Sequence, residues 1–329
     1  MSKLARIRAT FALFAVLVCA LALAACGDDE GSDSGGGDTG GGSGTVIQSN
    51  PDNAGVTLTI GSKNFTEQIV LGEIYAQALE AAGYKVKRDL NLGSEVVALE
   101  AVENGEVSGY PEYVSTALTS FFDVQPEQVP TDPQEAADQS QAEFEKQGLT
   151  SFAPTPFASA NAVGLLKSTA EELGVATISD LEGKSQDLAL YGAPECRQRV
   201  DCLVGLEENY GLEFKSFTPV SIEQRYQVLD QGEADLSILF TTDAQLGQAN
   251  SEYTILEDDK EVFPAGNVVF VTDQKTAQEA GPDYQKTIEL VQSGLTEEVM
   301  QELDAKVDID QQTPAQAATE YLQASGYIE

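Results

Sequence analysis

Short apolar segments alternate with helical patterns along most of this 329-residue chain. Val56–Ile60 is an apolar run, and Glu67–Ala82 carries apolar side chains at the spacing of one helical face. Because this alternation is typical of sheets covered by helices, the sequence predicts an α/β fold built on parallel sheets. The roughly 270 residues that follow residue 55 suit two lobes better than one core.

The N-terminus has the pattern of a secretory signal. Lys3, Arg6 and Arg8 precede the apolar run Phe11–Ala22, and Leu23–Cys26 matches a bacterial lipobox. The sequence therefore predicts a signal peptide over residues 1–25 and lipidation of the cysteine at position 26. An ordinary cleaved signal with an incidental cysteine is one alternative. An uncleaved anchor is another, although the apolar run is short for a membrane span.

Residues 26–55 are rich in Gly, Ser and Asp and offer almost nothing for a core. They are predicted to be a flexible linker that lets the folded part reach about 30 Å from its lipid. The formal net charge of the chain is −36. A surface this acidic repels phosphate backbones, so we expect no nucleic acid partner.

The residue types that are missing exclude several enzyme classes. The chain has no histidine, which removes HExxH zinc sites, Ser-His-Asp triads and Cys-His dyads. It also lacks a Ser-x-x-Lys motif. A carboxylate pair such as Glu112 with Asp243 could do acid–base chemistry, but the sequence spacing of these residues does not indicate it. We therefore expect a protein that is not an enzyme and has no cofactor.

Four cysteines are present. Cys19 would leave with the signal and Cys26 is the predicted lipid site, which leaves Cys196 and Cys202 in an oxidising compartment. Their spacing favours a local disulfide that fixes one loop. A metal pair is the weaker alternative because no other soft ligand lies nearby, and no metal site is predicted.

Two motifs resemble a known family. Gly61–Gln68 is a polar turn with Lys63 at its mouth, and Tyr110–Tyr113 reads Tyr-Pro-Glu-Tyr. Together they are similar to the ProX-type substrate-binding proteins of ABC importers for glycine betaine, carnitine, choline and proline betaine. Further matching segments follow in the same order: Asn91–Gly93, Ser179–Leu181, Thr241–Asp243 and Ile255–Lys260.

The resemblance implies a periplasmic-binding-protein fold of type II, with two α/β lobes joined by two crossover segments around a ligand cleft. Lobe 1 would be residues 56–157 plus 264–329, and lobe 2 residues 158–263. The implied partners are a small-molecule ligand and the permease and ATPase subunits of an ABC importer. The protein would act as a monomer on the extracytoplasmic face of the membrane, held there by its lipid.

The resemblance also implies how a ligand carboxylate would be held. The matching positions are Lys63, Thr116 and Arg199, whose two cations and hydroxyl can donate charge-assisted hydrogen bonds. Taken singly, each residue has a simpler reading. Lys63 could be a solvated turn lysine, Arg199 could pair with Glu195 or Asp201, and Thr116 could bond its own helix backbone.

Family members hold a quaternary ammonium in a cage of aromatic rings, each worth about 0.5–2 kcal/mol. Tyr113 matches one cage position and Phe240 another, but the remaining two fall near Asn161 and Gly266, which are not aromatic. Losing two rings would weaken binding by about 1–4 kcal/mol. Rings that could substitute, although core or hinge packing suits them better, are Tyr110, Phe157, Tyr191 and Phe263.

Three alternatives to an osmoprotectant-binding lipoprotein remain at this point. The pocket could have changed to bind another carboxylate or an aromatic solute. The chain could be a secreted enzyme. It could also be a sensory or adhesive lipoprotein without a transporter.

Overall fold

The computed structural model describes residues 46–329. The strands in that range are β1 (Thr57–Gly61), β2 (Lys85–Asp89), β3 (Gly109–Tyr113), β4 (Leu149–Ser151), β5 (Ala158–Ser159), β6 (Asn161–Leu166), β7 (Ala189–Gly192), β8 (Ser216–Pro219), β9 (Leu236–Phe240), β10 (Tyr253–Ile255) and β11 (Gly266–Asp273). The helices are α1 (Thr66–Ala81), α2 (Glu95–Glu103), α3 (Val114–Thr116), α4 (Pro133–Lys146), α5 (Lys167–Leu173), α6 (Leu203–Tyr210), α7 (Arg225–Asp230), α8 (Ala244–Gly247), α9 (Gln274–Ala280), α10 (Pro282–Gln292), α11 (Glu297–Asp308) and α12 (Pro314–Ala324).

The strands form two mixed sheets. The first has the order β2–β1–β3–β11–β4, with β5 also paired to β11, and the second has the order β10–β6–β9–β7–β8. β1 runs parallel to β2 and β3, and β7 runs parallel to β8 and β9, whereas β11 and β6 are antiparallel to their neighbours. The prediction of parallel sheets is therefore wrong for β6 and β11. β6 and β11 each follow a strand of the other sheet without a helix in between, so no βαβ crossover forces either of them to pair in parallel.

The chain changes sheet twice. Strands of the first sheet come from residues 57–159 and 266–273, and strands of the second from residues 161–255. β5 pairs with β11 in the first sheet, so strand pairing places the first change after residue 159, slightly beyond the boundary expected at 157. The division into lobes at 157 and 263 stays a prediction.

Helices cover both faces of the first sheet. Leu71 of α1, Tyr284 of α10 and Leu322 of α12 are fully buried in one core. Phe144 of α4 is buried in a second core. The second sheet has its own core, in which Leu206 of α6 is fully buried. Each such side chain contributes roughly 1.5–3 kcal/mol to folding through its removal from water. None of the helices in the described range has the length and apolarity to cross a bilayer.

The central strand of the first sheet, β3, contains a proline, and the sequence pattern predicts only part of this strand. The apolar pattern predicts a strand over Val107–Tyr110 that stops before Pro111, because proline lacks an N–H donor. In the structure β3 extends to Tyr113 and is buried throughout. Its contact with β1 is the Ile60–Gly109 pair, two residues before the proline. The proline ring therefore does not interrupt that pairing, and the Tyr-Pro-Glu-Tyr motif lies inside the sheet.

Two helices lack a signal in the sequence. α5 has no buried residue and α9 has one, Ala280. Neither helix therefore shows the apolar periodicity on which a prediction depends. By contrast, the amphipathic pattern over Leu203–Tyr210 predicts α6 with its observed bounds.

The end of the predicted linker is folded. The Ile47 backbone N–H donates to the Tyr327 carbonyl at 2.8 Å, and the Asn50 N–H donates to the Ala82 carbonyl at 3.0 Å. Asn53 is buried, and its side-chain amide also donates to Ala82. The prediction of a flexible linker through residue 55 is therefore wrong for its last residues. The signal peptide, the lipidation at position 26 and most of the linker lie outside the described residues.

Gly109 is expected to be required for packing between β3 and β11. A Cβ atom there would lie 2.3 Å from Phe270 Cε1 and 2.7 Å from the Val271 carbonyl oxygen. Gly109→Ala should therefore lower the free energy of unfolding by about 1–3 kcal/mol, measured by urea denaturation. Gly55→Ala is the control, because nothing lies within 4 Å of its Cβ position. Equal stability of the two variants would contradict this packing argument.

Candidate functional site

A cavity between the two sheets gathers the residues expected to contact a ligand. Its volume is about 80 Å³, several times the roughly 10–15 Å³ that admits a water molecule. All six predicted ligand contacts line it, three from the first sheet's side and three from the second's. They are Lys63, Tyr113, Thr116, Asn161, Arg199 and Phe240. The structure thus brings these residues together, and their roles toward a ligand stay predictions.

Lys63 is a buried, paired lysine rather than a solvated one. It lies in the turn between β1 and α1 and is 4% exposed. Its Nζ donates a short hydrogen bond to Glu112 Oε1. Glu112 is fully buried and also accepts from the Tyr110 hydroxyl at 2.9 Å and the Tyr113 backbone N–H at 2.7 Å. This network ties the turn to β3, so that both motifs of the sequence meet at one point.

Arg199 lies inside the loop closed by a disulfide between Cys196 and Cys202. Its Nε donates to Asp201 Oδ1 at 2.7 Å, and its Nη2 contacts the second oxygen of the same carboxylate. Burial lowers the pKa of Arg199, but the charge and hydrogen bonding of Asp201, together with the charges of Glu95 and Glu112, raise it above its ordinary value, so the guanidinium keeps its proton. The pairing with Asp201 that the sequence left open is thus present in the structure.

Arg199 also reaches residues of the first sheet's side. Its Nη1 lies 3.6 Å from Glu95 Oε1, and its Nη2 lies 3.5 Å from the Thr116 hydroxyl. Thr119 donates across the same gap to Asp201 at 3.3 Å. The disulfide loop therefore contacts the first sheet's side of the cavity.

Three aromatic rings form one wall of the cavity. The Phe65 ring lies 6.2 Å from that of Tyr113 at an interplanar angle of 17°, and 5.0 Å from that of Phe240. Sequence reasoning found Tyr113 and Phe240 but missed Phe65. Phe65 is in the first motif, directly before α1, but local sequence does not say that its side chain points toward Phe240, a residue 175 positions away. Phe263 lines the cavity as well.

Cations already lie over these rings. Lys63 Nζ is 4.5 Å from the centre of the Tyr113 ring and 5.9 Å from that of Phe65. Arg225 Cζ is 4.0 Å from the centre of the Phe240 ring, and its Nη2 is paired with Asp243 at 3.0 Å. Cations within about 6 Å of an aromatic centre are attracted by the ring. The wall is therefore electrostatically suited to positive charge.

The two remaining cage positions have other roles. The Asn161 side-chain amide donates to the Asp201 carbonyl at 2.9 Å. At Gly266 a Cβ would lie 2.2 Å from Ser115 Oγ and 2.8 Å from Ser115 N, so an aromatic side chain cannot fit there. Of the possible substitute rings, Phe263 lines the cavity. The other three, Tyr110, Phe157 and Tyr191, do not line it.

Comparison with known proteins decides the family. Residues 56–324 match the family described as the substrate binding domain of ABC-type glycine betaine transport systems, OpuAC. The chain belongs to the OpuAC family. Proteins of this family are the extracytoplasmic substrate-binding components of ABC importers, and they bind small ligands and work with permease components. The predicted family resemblance is confirmed.

The OpuAC-family chain is similar to several named proteins. It is 32% identical to the glycine-betaine-binding protein of Pseudomonas aeruginosa over 280 residues, 81% of this chain and 87% of the relative. It is 27% identical over 279 residues to the ergothioneine transport permease/ergothioneine binding protein of Helicobacter pylori, 82% of this chain and 48% of that relative. A crystal structure of a glycine betaine/carnitine/choline ABC transporter aligns with a TM-score of 0.64 and 26% identity, over 83% of this chain and 100% of the other. The predicted type II periplasmic-binding-protein fold is confirmed.

The Lys63–Glu112 pair gives a prediction about stability. Glu112→Ala would leave three buried donors without their acceptor, and losing one partner of a buried ion pair costs about 3–5 kcal/mol. Lys63→Met should cost less, because Glu112 keeps the donors of Tyr110 and Tyr113. Urea denaturation measures both losses.

Lys146→Met provides the control for an exposed ion pair, that with Glu143, and should change stability by no more than about 1 kcal/mol. A larger loss of stability for Lys63→Met than for Glu112→Ala would contradict the proposal that the network depends chiefly on the Glu112 carboxylate.

Proposed function

We propose that this protein binds a small zwitterion or quaternary ammonium compound of the betaine type and delivers it to an ABC permease. The observation that carries the proposal is a single cavity that joins three aromatic rings to the side chains of Lys63 and Arg199. Such a cavity offers one end to a cation and the other to a carboxylate. The family of the chain supports the same conclusion.

The polar end keeps donors for a carboxylate. An ammonium has three N–H donors and a guanidinium five, whereas Lys63 uses one on Glu112 and Arg199 uses two on Asp201. The Thr116 hydroxyl lines the same side. Hydrogen bonds to a charged group are worth about 1.5–3 kcal/mol each, which is enough to select a ligand that carries a carboxylate.

The charges of the cavity favour a ligand without net negative charge. The three cations that line it, Lys63, Arg199 and Arg225, each pair with a carboxylate. Glu195 adds another carboxyl group, whose pKa is raised, chiefly by burial. Because no excess of positive charge remains among these groups, a simple anion gains less here than a zwitterion or a cation does. This argues against the alternative of a pocket for an unrelated carboxylate.

We further propose that the mature protein is a monomer held on the extracytoplasmic face of the membrane by lipid on Cys26, and that it serves a permease with an ATPase subunit. The support is the lipobox and the family. Cys26→Ala should abolish incorporation of a labelled fatty acid into the protein when it is expressed in its own host. Labelling that survives this substitution would contradict the anchor.

A second candidate ligand comes from one relative. The Helicobacter pylori protein is named as an ergothioneine binding protein, and the aromatic wall here could stack against an aromatic solute. Ergothioneine therefore belongs in the ligand panel beside glycine betaine, carnitine, choline and proline betaine. Calorimetry on the domain tests the panel, and recovery of the ligand unchanged tests the expectation that the protein is not an enzyme. If no member binds below the millimolar range, the proposed function is wrong.

The two ends of the cavity should respond separately to substitution. Phe65→Leu and Phe240→Leu should each weaken choline and glycine betaine binding by about 0.5–2 kcal/mol, or about 2- to 30-fold. Lys63→Met should weaken glycine betaine binding by about 10-fold or more and should not weaken choline binding. Titration calorimetry measures both.

Phe217→Leu is the matched control for the ring substitutions. Phe217 also lies beside a cation, 5.1 Å from Arg197 Cζ, but it does not line the cavity. Its replacement should leave both affinities unchanged. Equal losses for choline and glycine betaine on replacing Lys63 would contradict a dedicated carboxylate end.

A further inference from the structure

A second cavity lies behind the aromatic wall. Its volume is about 260 Å³, and it shares Phe65, Phe240 and Arg225 with the ligand cavity. Five of its other side chains are acidic. Those with carboxyl groups are Glu67, Glu223, Asp243, Asp304 and Asp308. The proposed ligand site does not include this cavity, so its acidic side chains require a separate explanation.

Two of these carboxyl groups are buried, and each has one oxygen without a hydrogen-bond donor. Glu67 in α1 and Asp304 in α11 are each 4% exposed. Glu67 Oε2 and Asp304 Oδ1 have no hydrogen-bond donor, although the two side chains lie within hydrogen-bonding range of each other. Two ionised carboxylates can only accept, and an unpaired buried charge is strongly unfavourable. One proton between them would satisfy both oxygens.

The other Glu67 oxygen links this pair to the ligand cavity. The Tyr113 hydroxyl donates a short hydrogen bond to Glu67 Oε1, and the Tyr113 ring forms part of the aromatic wall. The pKa of Tyr113 is raised well above its ordinary value by burial and then by the charge of Glu67. The phenol therefore keeps its proton and donates it to Glu67 Oε1. The proton that would satisfy Glu67 Oε2 must then lie between Glu67 and Asp304.

The surroundings supply little positive charge to replace that proton. The titratable and charged groups that face the pair come from several elements, and they are Tyr75, Tyr113, Glu223, Arg225, Tyr226, Asp243 and Asp308. Arg225 is already bound to Asp243, which also accepts from the Tyr226 hydroxyl at 2.9 Å. Asp308 accepts from the Thr66 hydroxyl at 2.6 Å. No group of side chains in residues 46–329 is arranged to hold a metal ion.

We propose that Glu67 and Asp304 share one proton when the two sheets close around a ligand, and that ligand binding is therefore coupled to proton uptake. This inference rests on the proposed function. Glu67 and Asp304 belong to helices packed on the first sheet, whereas Asp243 and Thr242 follow β9 of the second. Closure brings Asp243 toward the pair and excludes water from it, and opening reverses both changes.

The direction of the effect follows from the pKa shifts. Burial and then the charge of Glu67 raise the pKa of Asp304 well above 3.8, and burial also raises the pKa of Glu67 from 4.5. A carboxyl group whose pKa is higher in the closed state favours closure at low pH and loses that contribution as pH rises through the raised value. Ligand affinity should therefore fall as the pH rises.

Choline and glycine betaine are the probes, since neither changes charge in the range tested. Between about pH 5 and about pH 8 the Kd should increase with pH, by at most about tenfold per unit if one proton is taken up. Calorimetry in buffers with different ionisation enthalpies should show net proton uptake of up to one. Infrared spectroscopy at neutral pH should show the carbonyl band of a protonated carboxyl group appearing when ligand is added.

Asp304→Asn supplies a permanent N–H donor to Glu67 and should make the Kd nearly independent of pH, with loss of the infrared band. Glu297→Gln is the control, on the same helix but exposed, and should behave as the unaltered protein does. If Asp304→Asn fails to fold, the proton count and the infrared band of the unaltered protein still decide.

The outcomes separate the two proposals. A Kd that does not change with pH, or a slope that Asp304→Asn retains, overturns the coupling, while binding itself upholds the proposed function. Absence of the infrared band overturns the shared proton. If neither probe binds at any pH, the proposed function and the coupling both fail.

Discussion

The buried ion pair between Lys63 and Glu112 determines the geometry of the site. Removing an ammonium and a carboxylate from water costs several kcal/mol per ion unless both are well hydrogen-bonded. Glu112 meets that condition by accepting from Lys63, from the Tyr110 hydroxyl and from the Tyr113 backbone. The pair therefore fixes the turn after β1 against the end of β3. The polar and aromatic parts of the cavity are set by the same contacts.

The second sheet's side is held by a different device. The disulfide between Cys196 and Cys202 closes a short loop around Arg199, and Asp201 within the loop orients the guanidinium. A long side chain loses about 2 kcal/mol of rotamer freedom when it is fixed. Here the loop and its carboxylate fix it before any ligand arrives. A ligand then has to meet a preformed donor, which reduces the entropy lost on binding.

Sequence alone predicted the elements that have an apolar period or a motif, and it failed where neither exists. It placed α6 correctly and brought Lys63, Tyr113 and Arg199 into one hypothesis. It missed α5, which has no fully buried residue. It also missed Phe65, because the direction of that ring depends on a contact with Phe240 in the other sheet. Pairing between distant carboxylates and cations likewise depends on tertiary structure and leaves no local pattern.

The position of Lys63 couples the two ends of the cavity. Its ammonium lies 4.5 Å from the centre of the Tyr113 ring, on a face that could otherwise attract a ligand cation. A carboxylate that draws Lys63 toward itself would free that face for the ammonium of the same ligand. A cation without a carboxylate would instead meet the repulsion of a like charge at this ring. For that reason the arrangement favours a zwitterion over choline. Removing the lysine should narrow the difference between the two affinities, because choline binding would strengthen while glycine betaine binding weakens.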